Sequence, residues 1–211
     1  MRLRNVKNAY DKLLKGKNFI KDPKGLKETK VFLNDNPVCI EIGMGKGTFI
    51  TSLAKRHPDI NYIGIEKYDS VLVRAIEKDD ETLDNLKFMC LDAKELLEVF
   101  TSHSIDTIYL NFSDPWPKSR HAKRRLTSPS FLDIYKELLK EDGKVIFKTD
   151  NIHLFEYSLT SMCNYQMIFD EVSLNLHQTP FHLSGENIMT EYEQKFSPHG
   201  PIYRLVARFR K

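Results

Sequence analysis

Apolar residues in this chain fall into short runs separated by stripes at helical spacing. Val38-Cys39-Ile40-Glu41-Ile42 is a compact apolar run ending in glycines, the mark of a strand buried on both faces. Phe49, Ile50, Leu53 and Ala54 follow at helical spacing and stop at His57-Pro58. Residues 62–65 predict a second strand, with Val71, Leu72, Ala75 and Ile76 as the face of the next helix. Residues 86–91 and 105–112 read as the third and fourth strands, with a short helix over 93–100 between them. Ser128 is expected to cap a helix that has Pro129 at its first position and Phe131, Leu132, Tyr135, Leu138 and Leu139 as its apolar stripe. Residues 143–148 predict a fifth strand, and the helix after Asp150 carries Leu154, Phe155, Leu159 and Met162. Two more strand-like runs, near 165–176 and 202–209, close the chain.

Five strand–helix units in series predict an α/β fold with a doubly wound, Rossmann-like parallel sheet over residues 37–211, preceded by an extension over 1–36. In that architecture ligands bind beyond the carboxyl ends of the strands. The chemistry should therefore lie just after each strand.

The first strand runs into Glu41-Ile42-Gly43-Met44-Gly45-Lys46-Gly47. Alternating glycines permit a tight turn and close approach of a ligand to the backbone, next to free N–H groups of the following helix. The dinucleotide pattern would place a third glycine where Thr48 stands, and Glu41 would repel a phosphate. A cationic ligand suits the turn better, and S-adenosylmethionine carries an ammonium and a sulfonium but no phosphate. Glu66, ending the second strand, could accept both ribose hydroxyls. Asp92, after the third, could accept from an adenine amino group or cap the next helix. Gly43, Gly45, Gly47, Glu41, Glu66 and Asp92 together describe a pocket for a cationic nucleoside.

The fourth strand leads into Ser113-Asp114-Pro115-Trp116-Pro117-Lys118, in which two prolines stiffen the turn around the only tryptophan. Trp116 could stack on a flipped base or pack as a wedge. The run from Lys118 to Arg125 holds five Lys/Arg and no acid. Arg120, His121, Lys123, Arg124 and Arg125 are therefore candidate contacts to an RNA backbone.

Charge reinforces this picture. The net charge is only +3, but residues 1–30 hold ten Lys/Arg against three Asp/Glu, residues 31–116 eight against fifteen, and residues 117–211 fourteen against eleven. A basic arm and a basic loop around an acidic middle point to a polyanionic partner. With 41% hydrophobic residues, 13 Phe and 9 Tyr among 211 residues, the chain has the core formers of one folded domain. No apolar run reaches bilayer length, and no apolar segment follows the charged N-terminus. Cys39, Cys90 and Cys163 are widely spaced with no Cys-x-x-Cys pair, so buried thiols in a reducing cytosol are expected rather than a metal site or disulfides.

Glu-Ile-Gly-Met-Gly-Lys-Gly, Ser-Asp-Pro-Trp-Pro-Lys with its Arg-His-x-Lys-Arg-Arg tail, Phe-Lys-Thr-Asp-Asn (147–151) and Thr-Glu-Tyr-Glu (190–193) occur in this order. On these motifs the chain resembles the bacterial tRNA (guanine-N(7)-)-methyltransferase family over nearly its whole length. The resemblance implies a class I methyltransferase fold, a seven-stranded mostly parallel sheet with an antiparallel last strand. It implies S-adenosylmethionine as cofactor and tRNA as partner, with 7-methylguanosine formed in the variable loop. It assigns Glu41, Glu66 and Asp92 to the cofactor, and Asp114 to cofactor contact and catalysis. Lys118, Asp150, Thr190, Glu191, Tyr192 and Glu193 fall to substrate binding. Asp150 and Glu193 have the chemistry to accept from the ring N–H and amino group of guanine. Asp114 could serve the base edge, the developing charge or the cofactor ammonium. An amino methyltransferase and a non-catalytic RNA-binding protein remain as alternatives, and both monomer and homodimer stay open.

Overall fold

The computed structural model describes residues 6–28, 31–79 and 82–210. Residues 1–5 and 29–30 of the expected basic extension lie outside the described residues. The chain divides into two compact units, Met1–Thr101 and Ser102–Lys211.

The first unit runs α1 (Ala9–Leu13), β1 (Val38–Ile42), α2 (Thr48–Arg56), β2 (Asn61–Glu66), α3 (Asp69–Ile76), β3 (Leu86–Cys90) and α4 (Leu96–Val99), with a 3₁₀ turn, Ala93–Glu95, before α4. Its strands are parallel, with β2 between β1 and β3. All four residues of the predicted stripe on α2, Phe49, Ile50, Leu53 and Ala54, are buried. On α3 the buried face is Leu72, Val73 and Ala75. The described part of residues 6–36 packs on this unit. Leu13, Phe19 and Phe32 are buried. Ile20 N–H donates to the Phe88 carbonyl at 2.9 Å, and Phe88 N–H to that of Asn18 at 2.8 Å. This short bridge covers the outer edge of β3, where unpaired N–H and C=O groups would otherwise face solvent.

The second unit runs β4 (Ile105–Asn111), a 3₁₀ turn (Ser119–Arg124), α5 (Pro129–Leu138), β5 (Leu139–Thr149), α6 (Ile152–Asn164), β6 (Ile168–Ser173), α7 (Pro180–Leu183), α8 (Glu191–Phe196) and β7 (Tyr203–Arg208). β4 and β5 are parallel; β7 runs antiparallel between β5 and β6. β5 begins earlier than the sequence predicts. Its register jumps from Ile105↔Leu139 to Thr107↔Lys144, so residues 140–143 bulge out of the ladder. Space at Gly143 is tight, since a Cβ would lie 2.9 Å from Leu139 Cδ2 and 3.0 Å from the Lys140 carbonyl oxygen. Ser128 holds the N-cap position of α5 without a capping bond. Its hydroxyl donates instead to the Lys123 carbonyl at 3.3 Å.

The seven strands take the order β3-β2-β1-β4-β5-β7-β6. The expected sheet with an antiparallel last strand is the one found. Among the described residues no helix is long and apolar enough to cross a membrane.

Candidate active site

Parallel pairing of β1, β2 and β3 puts their carboxyl ends on one edge of the first unit. Glu41 lies one residue from the end of β1, in register with Gly64, and is 2% exposed. The turn that follows places Gly43, Gly45 and Gly47 at φ +74°, +61° and +74°. Side chains are disfavoured in that region, which accounts for three glycines at alternate positions. A Cβ at Gly43 or Gly45 would meet nothing within 4 Å, so the backbone there lies open to a ligand. Met44, between them, turns inward and is buried. Gly64 on β2 leaves it room, because a Cβ there would fall 2.2 Å from Met44 Sδ.

Glu66 closes β2 and braces this turn. Its Oε2 accepts from Gly45 N–H at 3.1 Å and its Oε1 from Tyr68 N–H at 3.1 Å. Each carboxylate oxygen has two acceptor positions, so these bonds are compatible with ribose hydroxyls. Asp92 caps the 3₁₀ turn by accepting from Lys94 N–H at 3.1 Å and pairs with Lys67 Nζ at 2.6 Å. Burial opposes ionisation of Asp92, but Lys67 and the Lys94 N–H outweigh it and hold the carboxyl below its ordinary range. The capping reading of Asp92 is thus realised, and a contact to adenine would have to share its oxygens. Three carboxylates around an open glycine turn fit a nucleoside bearing an ammonium and a sulfonium.

In the second unit, β4 leads into a contorted turn. Phe112 and Trp116 take φ +51° and +43°, uncommon for residues with side chains and found mainly where surroundings enforce them. Phe112 N–H donates to the Lys148 carbonyl at 2.8 Å, which ties the turn to β5. Asp114 is exposed between the two contorted residues. Lys118, Arg120, Lys123 and Arg124 are also exposed. The Arg124 guanidinium lies 4.8 Å from the Trp116 ring centroid, and His121 meets that ring edge-on at 5.8 Å. Trp116 is thus flanked by basic-loop side chains. Arg125 differs from its neighbours: its guanidinium donates to the carbonyls of Pro115 and Trp116.

Asp150 and the 190–193 segment meet in the same unit. Tyr192 Oη donates to Asp150 Oδ2 at 3.1 Å. The Tyr192 ring stacks on Phe196 at 4.2 Å and leans on Phe112 at 5.0 Å. Burial and the Asp150 carboxylate both push the Tyr192 phenol above its ordinary value. Thr190 caps α8 by accepting from Glu193 N–H at 2.9 Å. Glu191 lies partly exposed in the first turn of that helix.

Glu193 stands apart from the edge-recognition role expected of it, because its side chain is 0% exposed. Its Oε2 accepts from Lys148 Nζ at 2.7 Å, and its Oε1 meets His177 Nε2 at 2.9 Å and Asn187 Nδ2 at 2.8 Å. Both oxygens face the interior, leaving no exposed edge for a base. Burial would raise its pKa, but Lys148, then His177 and Asn187, hold it below the ordinary value. Lys148 Nζ also donates to the Ile188 carbonyl at 3.0 Å. His182 stacks on His177 at 4.0 Å, and burial with the nearby His177 and Lys148 keeps it below its ordinary value. The sequence carried one signal of this network, a lysine directly after the apolar run Val145-Ile146-Phe147. His177 and Asn187 carried none.

Residues 35–205 match a family described as putative methyltransferase. Among solved structures, a 16S rRNA methyltransferase, KamB, aligns with TM-score 0.62 and 11% identity over 89% of this chain and 92% of that one. An antibiotic-related methyltransferase aligns with TM-score 0.59 and 18% identity over 86% and 97%. Strand order, antiparallel β7 and the acidic, glycine-lined strand ends define a class I methyltransferase. The chain is 55% identical over 195 residues to the tRNA (guanine-N(7)-)-methyltransferase of Listeria monocytogenes serotype 4b, covering 90% of each protein. It is 52% identical over 211 residues to that of Lachnoclostridium phytofermentans, covering 98% of each. The chain belongs to the tRNA (guanine-N(7)-)-methyltransferase family.

Proposed function

We propose that this protein transfers a methyl group from S-adenosylmethionine to N7 of a guanine in tRNA. The observation that carries this reading is the set of strand-end carboxylates, Glu41, Glu66 and Asp92, around an open glycine turn. S-adenosylmethionine supplies an electrophilic methyl on a positively charged sulfur. In the proposed roles, Glu66 binds the ribose hydroxyls and Glu41 attracts the cationic amino-acid end. Asp92, already engaged with Lys67 and Lys94, contributes to the adenine side.

N7 of guanine carries an exposed lone pair and no proton, so no general base is needed to free the nucleophile. The protein has to align the reactants and accommodate the positive charge that develops on the purine. Alignment alone can contribute roughly 7–11 kcal/mol of barrier lowering. Asp114, exposed and held between two contorted residues, is the carboxylate proposed to face that charge. Asp150, oriented by Tyr192, is the proposed acceptor for the ring N–H and amino group of guanine. Glu193 supports it from behind, through α8. Lys118, Arg120, His121, Lys123 and Arg124 are proposed to meet the tRNA backbone.

Incubating the protein with S-adenosylmethionine and unmodified tRNA, then digesting to nucleosides, tests the reading. The expected product is 7-methylguanosine. A different methylated nucleoside would favour an amino methyltransferase, and no product would refute the proposal. Asp114→Asn should lower turnover by orders of magnitude while tRNA binding stays near wild type; a near-normal rate would remove Asp114 from the chemistry.

A further inference from the structure

Arg125 closes a basic run that charge alone reads as an RNA contact, yet its guanidinium points into the protein. Nε donates to the Pro115 carbonyl at 3.0 Å and Nη2 to the Trp116 carbonyl at 3.0 Å. The guanidinium carbon lies 4.2 Å from the centroid of the Tyr157 ring, on α6. Its backbone is fixed as well, with its N–H donating to the Ala122 carbonyl at 3.0 Å and its carbonyl accepting from Ser128 N–H at 2.9 Å. One side chain thus connects the turn after β4 to α6.

That turn needs an outside restraint. Pro115 and Pro117 have no N–H, so the turn cannot close on donors of its own at those positions. Phe112 and Trp116 hold backbone angles that residues with side chains leave readily unless their surroundings fix them. The two carbonyls held by Arg125 belong to the two residues immediately after Asp114. A planar fork can reach both at once and stack on an aromatic face, whereas an ammonium presents a single point of charge.

We propose that Arg125 is a positioning residue that sets the Asp114 turn, and not a contact to the tRNA backbone. This rests on the reading of Asp114 given above.

Trp116 is the only tryptophan, so its fluorescence reports the turn directly and without turnover. Arg125→Ala and Arg125→Lys should both shift Trp116 emission and increase its quenching by acrylamide. Both should lower kcat by on the order of 100-fold, the scale of a misplaced reacting group. The Kd for tRNA and its dependence on salt should stay at wild-type values. Lys123→Ala should behave oppositely, with normal emission but a shallower salt slope. Wild-type emission in Arg125→Ala would overturn the proposal. So would a salt slope reduced by about one with kcat unchanged, the signature of a lost phosphate contact. If Arg125→Ala does not fold, Tyr157→Leu carries the test, because it removes the platform and keeps the charge. Altered emission and reduced kcat are then expected, and wild-type values for both would overturn the idea. Absence of 7-methylguanosine from the wild-type enzyme would refute the substrate reading, while the Trp116 arm would still decide the role of Arg125.

Discussion

Replacing Lys148 by Met tests the buried centre of the second unit. The Lys148 and Glu193 side chains are 3% and 0% exposed and 2.7 Å apart. Removing one partner of a buried ion pair leaves the other uncompensated, at a cost of about 3–5 kcal/mol. Glu193 would keep His177 and Asn187, so the lower end, about 3 kcal/mol, is expected. For a chain of this size that corresponds to a fall in Tm of roughly 6–12 °C. The pH dependence is the sharper test. In the wild type Glu193 is held below its ordinary 4.5, so its contribution is complete above that pH and is lost as pH falls through the lower native value. Without Lys148, desolvation dominates and the native pKa rises above 4.5. The folded variant then takes up a proton before the unfolded chain does. The deficit should therefore be largest near pH 7 and shrink between about pH 6 and 4.5. Urea unfolding at a series of pH values measures this, with His177→Asn as a control for the imidazole that also meets Glu193. A deficit under 1 kcal/mol, or one that does not change with pH, would refute the reasoning.

Three further outcomes are expected. Gly64→Ala places a methyl group 2.2 Å from Met44 Sδ, so it should cost about 1–3 kcal/mol and weaken adenosylhomocysteine binding in calorimetry. Met44→Ala in the same chain should restore both, and normal affinity in the single variant would show that the turn does not depend on this packing. Glu66→Ala removes the acceptor of the Gly45 and Tyr68 N–H groups as well as the proposed ribose contact, so cofactor affinity should fall at least tenfold; an unaltered Kd moves that contact elsewhere. Neutralising Arg120, Lys123 and Arg124 together should flatten the salt dependence of tRNA binding by roughly two to three in slope, and an unchanged slope would make the loop a merely solvated one.

What the sequence disclosed was whatever is local. Strand ends, the glycine turn and the α2 stripe follow from residues a few positions apart, and Glu41, Glu66 and Asp92 stand where that reading put them. The rest depended on partners far along the chain. Glu193 read as an accessible acceptor because nothing near it in sequence reveals a lysine 45 residues away. Arg125 read as one more cation of a run, since its carbonyl partners carry no charge pattern. Phe19 sits in an apolar pair too short to mark an element, and its partner, Phe88, stands far along the chain.

That last pairing has a practical reach. An enzyme trimmed to begin at the first strand would keep every carboxylate discussed here and still offer a row of unsatisfied amides and carbonyls to any neighbouring copy. Its failing would be self-adhesion at high concentration, and dilution, not added cofactor, would relieve it.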